Sequence, residues 1–384
     1  YKGKFAHGYD KQREITFARQ KELGVIPKDA KLTPRMKQVP SWDSHNADAK
    51  KLFERQMEVY AGYYEYTDHQ VGRILDAIDK IDQTDNTLVI YIAGDNGGSA
   101  EGSLVGTANE LMNLNGLDPT IEQSMKFYDQ WGGPETSPHY AVGWAWAMDT
   151  PFLWNKQVAS HFGGTRNGTV VHWPKGIQAK GELRTQFHHA IDIAPTILEA
   201  AGLPEPTFVH GVQQKPIEGV SFAYTFDDPG AADRHTTQYF EMFGNRGIYH
   251  NGWTAVTKHR TPWLLGAIKL PAFDDDNWEL YNTNEDWAQA NDLSKENPEM
   301  LHELQRLWLI EAVKYNVLPI DDRTAERFNS DLAGRPDLMA GRSSMRLDGH
   351  TRRLQENAAP NTKNKSFSVT AELVVPEGGA EGVI

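Results

Sequence analysis

A short, continuous run of β-branched and aromatic residues, Thr87-Leu88-Val89-Ile90-Tyr91-Ile92, runs into the tetrapeptide Gly94-Asp95-Asn96-Gly97. Such a run bounded by turn residues reads as a buried parallel strand. In open α/β sheets, ligands sit outside the carboxyl ends of the strands. An Asp carboxylate beside an Asn carbonyl at that position offers two hard oxygen ligands suited to Ca²⁺ or Mg²⁺. The flanking Gly94 and Gly97 let the backbone turn so that both side chains can face one ion. Asp-Asn-Gly is equally ordinary turn chemistry, and the strand alone does not choose between the two.

The segment before this strand has a different period. From Ala47 to Lys80 there is no proline, and Met57, Tyr60, Ala61, Tyr64, Val71, Ile74, Leu75 and Ile78 recur at helical spacing. A long helix feeding a buried strand is half of a doubly wound unit. Asp68 falls on the apolar face of that helix, so it is expected to be buried, hydrogen-bonded and structural. The first 45 residues, broken by Pro27, Pro34 and Pro40, read as a short helix with loops.

Residues 98–150 read as a long loop region carrying Trp131, Trp144 and Trp146, either aromatic walls for a partly apolar substrate or core packing. Lys156, His161 and Arg166 then flank a Gly163-Gly164 turn ahead of a second strand, Thr169–Pro174, and three cations near a sheet end would suit an anion. A helix over 190–201 stops at Gly202 with Pro204 beyond. Short strands are expected over 247–256 and 278–282, and a helix from about Glu299 to Tyr315. The alternation of Phe367, Val369, Ala371, Leu373 and Val375 predicts a half-buried antiparallel strand.

Composition narrows the classes. The formal charge of −13 argues against a non-specific nucleic-acid binder. With no cysteine, the chain has no disulfide, thiolate metal site or cysteine nucleophile. The longest apolar stretches fall well short of a membrane span.

In order and spacing, a set of segments resembles the bacterial arylsulfatases of the alkaline-phosphatase superfamily. These are Tyr60-Ala61 to Val71-Gly72, Gly94-Asp95-Asn96-Gly97, Lys156 ahead of Gly163-Gly164-Thr165-Arg166, Asp192-Ile193-Ala194-Pro195-Thr196, and Trp278-Glu279-Leu280-Tyr281. The resemblance implies an α/β fold, a mixed sheet sandwiched by helices. On it, residues 1–315 would be the C-terminal portion of a sulfatase catalytic domain. Residues 316–350 would be a linker, and 351–384 the start of a β-rich domain. The implied activity is hydrolysis of sulfate monoesters with one Ca²⁺ and a formylglycine made from Cys or Ser. Asp95 and Asn96 match the metal ligands and Lys156 the sulfate-contacting cation. The substrate would be a small-molecule or glycan sulfate ester, and the location periplasmic or secreted.

Two departures bear on this. The family's Lys stands one residue closer to the Gly-Gly pair, so a local bulge, or a catalytic share for His161, is expected. The Cys/Ser-x-Pro-x-Arg nucleophile motif is absent, since neither Ser41 nor Ser137 has that context. The expectation is a fragment with half an active site, inactive alone. A phosphodiesterase or phosphonate hydrolase of the same superfamily, and a non-catalytic anion- or glycan-binding protein, are the alternatives.

Overall fold

The computed structural model describes residues 1–384 except 265–268, 324–325, 327–329, 335–336, 349–350, 352–353, 355–357 and 383–384. It divides into two compact units, Tyr1–Asp321 and Asp322–Ile384.

The first unit begins with α1 (Gly8–Leu23) and α2 (Ala47–Asp79). Asn46 caps α2, its side-chain oxygen accepting from Ala49 N at 2.9 Å. The helical period forecast over 47–80 is borne out, but only the first part of α2 is seated. Leu52, Phe53 and Met57 lie in a core with Tyr9, Trp42 and Trp144. Beyond Tyr60, the helix presents Tyr63, Tyr66 and Ile74 to solvent. Asp68 is exposed as well, contrary to the expected buried carboxylate, because nothing among the described residues covers that face.

Strand β1 (Val89–Ile92) pairs with β2 (Thr169–His172), and the ladder is antiparallel, Val89 opposite His172. The apolar run therefore forms a strand, but neither a parallel nor a fully buried one: Ile92 and Val170 are exposed. Between β1 and β2 lie α3 (Glu110–Leu114), α4 (Ile121–Met125), α5 (Val142–Met148) and α6 (Phe162–Thr165). Trp131, Trp144 and Trp146 are all buried in the main core, so packing rather than a substrate wall accounts for them. Trp144 also donates its indole N–H to Phe53 O at 2.8 Å, tying α5 to α2.

Helix α7 (Ile193–Ala201) ends at Gly202 in the left-handed conformation (φ 66°), as the stop signal predicts. A hairpin, β3 (Phe208–Val209) with β4 (Val212–Gln213), precedes a four-stranded antiparallel sheet. That sheet comprises β5 (Thr237–Met242), β6 (Asn245–His250), β7 (Trp253–Thr257) and β8 (Trp278–Asn282). Helix α8 (Pro298–Lys314) packs Leu304, Trp308 and Ala312 on Ile248, Ala255 and Leu280 of the sheet. Every ladder between these strands is antiparallel.

In the second unit the described residues contain one short helix, α9 (Ser330–Ala333), and no strand. Phe367, Val369, Leu373 and Val375 are exposed, so the expected half-buried strand is not formed. The alternation is present in the sequence, but no partner strand within the described residues turns it into a ladder.

Candidate active site

The turn after β1 is held from three sides by backbone bonds. Ala93 N donates to Gly168 O (2.9 Å), Gly97 N to Gly164 O (3.2 Å), and Lys156 N to Gly98 O (3.1 Å). The amide of Asn167 clasps Asn96, donating to its carbonyl at 3.1 Å and accepting from its N–H at 3.2 Å. Approach to the Gly163–Gly164 backbone is so close that a Cβ on Gly97 would lie 1.6 Å from Gly163 O. Gly94 takes a φ of 96°, which glycine adopts without strain. Asp95 is exposed and Asn96 half-buried.

This turn supplies a carboxylate and an amide oxygen, a hard donor set that fits Ca²⁺ or Mg²⁺ chemically. Two ligands are fewer than the six to eight oxygens Ca²⁺ takes. Among the described residues, no group of three or more His, Cys, Asp or Glu could hold a metal ion. The remaining ligands would have to come from elsewhere.

Lys156 enters the same turn through its backbone. Trp154 (φ 66°) and Gln157 (φ 75°) bracket it in left-handed conformations, which side-chain-bearing residues adopt only when the surroundings impose them. Its ammonium lies 2.8 Å from Glu101 Oε2, which also accepts from Ser99 Oγ at 2.9 Å. Gln157 donates to Glu101 Oε1 at 3.2 Å. Burial alone would push the Glu101 carboxyl up; the bonds from Lys156, Ser99 and Gln157 outweigh it and hold the group below its ordinary value. His139 Nε2 lies 2.8 Å from Ser99 Oγ, and burial keeps its imidazole below the usual value.

Gly98 N, next to this turn in the chain, donates to Asp149 Oδ1 at 2.7 Å. Asp149 Oδ2 is buried without a partner. Burial drives this carboxyl well above its usual value, against the pull of the Gly98 N–H and Arg13.

The three cations expected to form one anion site do not converge. His161 is fully buried, with Nδ1 2.9 Å from Ser160 Oγ and Nε2 3.2 Å from Glu279 Oε2. Its ring faces the four-stranded sheet, and no bond connects it to Lys156. Arg166 stacks on Trp287 (4.0 Å to the ring centroid) and Phe162 (4.9 Å), and burial lowers it to about 10. Only Lys156 stays with the turn. Glu101 and Asp149 went unnoticed in the sequence because their partners lie 55 and 51 residues away.

The Asp192-to-Thr196 segment proves to be a bracing device. Asp192 accepts from His189 N and Val220 N and pairs with His235 Nδ1 at 2.8 Å. Thr196 Oγ1 donates to Asp192 O and accepts from Phe222 N.

The sulfatase family model matches residues 1–203, more than half of the chain, and the chain belongs to the sulfatase family of sulfate-ester hydrolases. An uncharacterised sulfatase of Schizosaccharomyces pombe is 29% identical over 85% of this chain and 56% of its own length. An arylsulfatase of Klebsiella aerogenes is 24% identical over 58% of this chain and 46% of that protein. An N-acetylglucosamine-6-O-sulfatase of Bacteroides thetaiotaomicron is 23% identical over 79% and 50%, respectively. The chain thus spans about half the length of the curated relatives it matches. No described helix is long and apolar enough to cross a membrane.

Proposed function

We propose that the whole protein hydrolyses sulfate monoesters of the aryl or a related type. What supports this most is that one turn holds the Asp95–Asn96 oxygen pair and is bonded through Gly98 to the backbone of Lys156, inside a segment matched by the sulfatase family model. Asp95 and Asn96 would hold a Ca²⁺ together with ligands from outside these residues. When bound, the ion would supply charge for the sulfate oxygens, and a formylglycine outside these residues would supply the nucleophile.

Lys156 gives a compact positive charge for a tetrahedral anion. Glu101 fixes that ammonium in direction until sulfate oxygens compete for it. A positioned ammonium also suits stabilisation of charge on the departing alcohol oxygen. Asp149 and Asn167 hold the ligand turn to the rest of the fold. His161, enclosed against Glu279, is assigned to packing of the Gly163–Gly164 segment rather than to proton transfer. A periplasmic or secreted location suits a cysteine-free hydrolase of this family.

The test is Asp95→Ala in the full-length protein, with calcium content and turnover measured on the same preparation. Loss of both is expected. Full calcium content in that variant would remove Asp95 from the ligand set.

A further inference from the structure

His139 and Tyr140 grip Ser99 at both of its polar ends. Tyr140 Oη accepts from Ser99 N at 3.0 Å, and His139 Nε2 lies 2.8 Å from Ser99 Oγ. His139 is itself fixed, its backbone exchanging two hydrogen bonds with Thr107 at 2.8 and 2.9 Å. Its ring lies so close to Gly102 that a Cβ there would come within 2.6 Å of Nδ1.

The protons in this cluster are too few for every acceptor. His139 Nδ1 is 3.0 Å from Tyr140 O, and a carbonyl oxygen only accepts, so Nδ1 carries a proton. In the neutral ring Nε2 is then a bare acceptor. The Ser99 hydroxyl has one proton and two acceptors within reach, His139 Nε2 and, at 2.9 Å, Glu101 Oε2. Glu101 Oε2 also takes the Lys156 ammonium at 2.8 Å. With the Ser99 proton on the His139 side, Glu101 has one donor fewer and holds Lys156 harder. An imidazolium reverses this. Its Nε2–H donates to Ser99 Oγ, the hydroxyl proton turns to Glu101, and the ammonium is freer to meet an anion.

We infer that His139 is a positioning residue for Lys156, setting through the Ser99 hydroxyl how firmly Glu101 holds the ammonium. The inference rests on the reading of Lys156 as the sulfate-contacting cation. The charged groups facing the ring are Glu101 and Glu110, which favour the imidazolium, and Lys156, which opposes it. The Tyr140 phenol beside it stays neutral, raised by burial. Burial outweighs the carboxylates and the Tyr140 carbonyl and holds His139 below the ordinary imidazole value of about 6.5. Anion affinity at Lys156 should therefore be lower at neutral pH and rise as the pH falls through the His139 value.

Inorganic sulfate, a dianion throughout the range, is the probe, titrated by calorimetry into calcium-saturated full-length protein from pH 5 to 8. In His139→Phe the Ser99 proton stays with Glu101, so sulfate should bind about fivefold more tightly than to wild type at pH 8. That is short of the tenfold or more expected for outright loss of a charge-assisted bond. Ser99→Ala should do the opposite, weakening binding about fivefold at pH 5, and adding His139→Phe to it should change nothing further. Both single variants should lack the wild-type step in affinity. Damage to packing would weaken binding in both and could not produce the opposite signs. Unchanged or weaker binding by His139→Phe at pH 8, or a step that survives in Ser99→Ala, would overturn the inference.

The unmutated protein gives a second reading. Ring ¹⁵N signals of His139 should show the neutral ring protonated on Nδ1. A neutral ring protonated on Nε2 would also overturn the inference, because Ser99 would then keep its proton for Glu101 at every pH. Neither measurement needs turnover. Sulfate-ester hydrolysis without the opposite-sign pair refutes this inference alone, and the pair in a protein that cleaves no sulfate ester refutes the hydrolase reading alone.

Discussion

Two residues show how charge is handled in this molecule. Lys156 meets a counter-charge in Glu101, and it remains the one member of the Lys156, His161 and Arg166 set bonded to the ligand turn. In the full-length enzyme, Lys156→Ala should lower kcat about 10²–10³-fold, the usual scale for one electrostatic partner of a transition state. Arg at this position should restore little, because a planar fork does not replace a point charge; a near-wild-type rate for the Ala variant would take Lys156 out of the chemistry. His235 works for stability instead. Burial opposes its charge, but the Asp192 carboxylate prevails and raises the imidazole above its ordinary value. Asp192 is in turn held below its own ordinary value, burial being outweighed by His235 and two backbone N–H groups. The stabilisation is therefore full between the ordinary Asp and His values, about pH 4 to 6.5. It is lost above that window as pH rises through the raised His235 value, and lost in acid as pH falls through the depressed Asp192 value. Replacing His235 with Gln should cost about 3 kcal/mol near pH 6 and less as the pH rises. Thermal unfolding of both proteins across pH 5–9 would show it, and a constant gap between the two curves would refute the linkage.

Among the elements, the turn after β1 is set by glycine packing more than by side chains. Gly97→Ala must push β1 away from Gly163, so it should destabilise the protein by about 1–3 kcal/mol and weaken calcium binding together. Gly168→Ala, where a Cβ meets nothing within 4 Å, is the control. Equal calcium affinity in both variants would show that the close approach does not position the ligands. The turn, the 47–79 helix, the Gly202 stop and the later strands were readable because each follows from local period, caps or turn residues. Strand direction was not: a continuous apolar run looks alike in a parallel ladder and in an antiparallel one half open to water. The burial of Trp131, Trp144 and Trp146, the Arg166 cage and the Glu101 and Asp149 contacts were equally hidden, since all depend on residues distant in sequence. Asp68 misled because helical spacing shows which residues share a face, not whether anything covers it.

For the whole molecule, the chemistry expected of the family needs a nucleophile from a Cys/Ser-x-Pro-x-Arg motif, and the sequence of 384 residues contains no such motif. Residues 1–384 expressed alone should give no turnover of 4-nitrophenyl sulfate with calcium present, since charge stabilisation without the attacking group leaves only a small residue of catalysis. Activity above an empty-vector control would place the nucleophile within the chain. One feature of the fold reaches further. Helix α2 is anchored by Leu52, Phe53 and Met57, while its other half is largely bare except where Tyr64 meets Tyr91 of β1. At 1.5 Å per residue it is a shaft about 50 Å long, gripped at one end and touching the ligand strand near its middle. A partner covering the bare half would steady β1 as well, and an ion held at the end of β1, as proposed above, would steady the shaft in return. Metal affinity and burial of that helix face would then be two readings of one free energy, each shifting the other by the same factor.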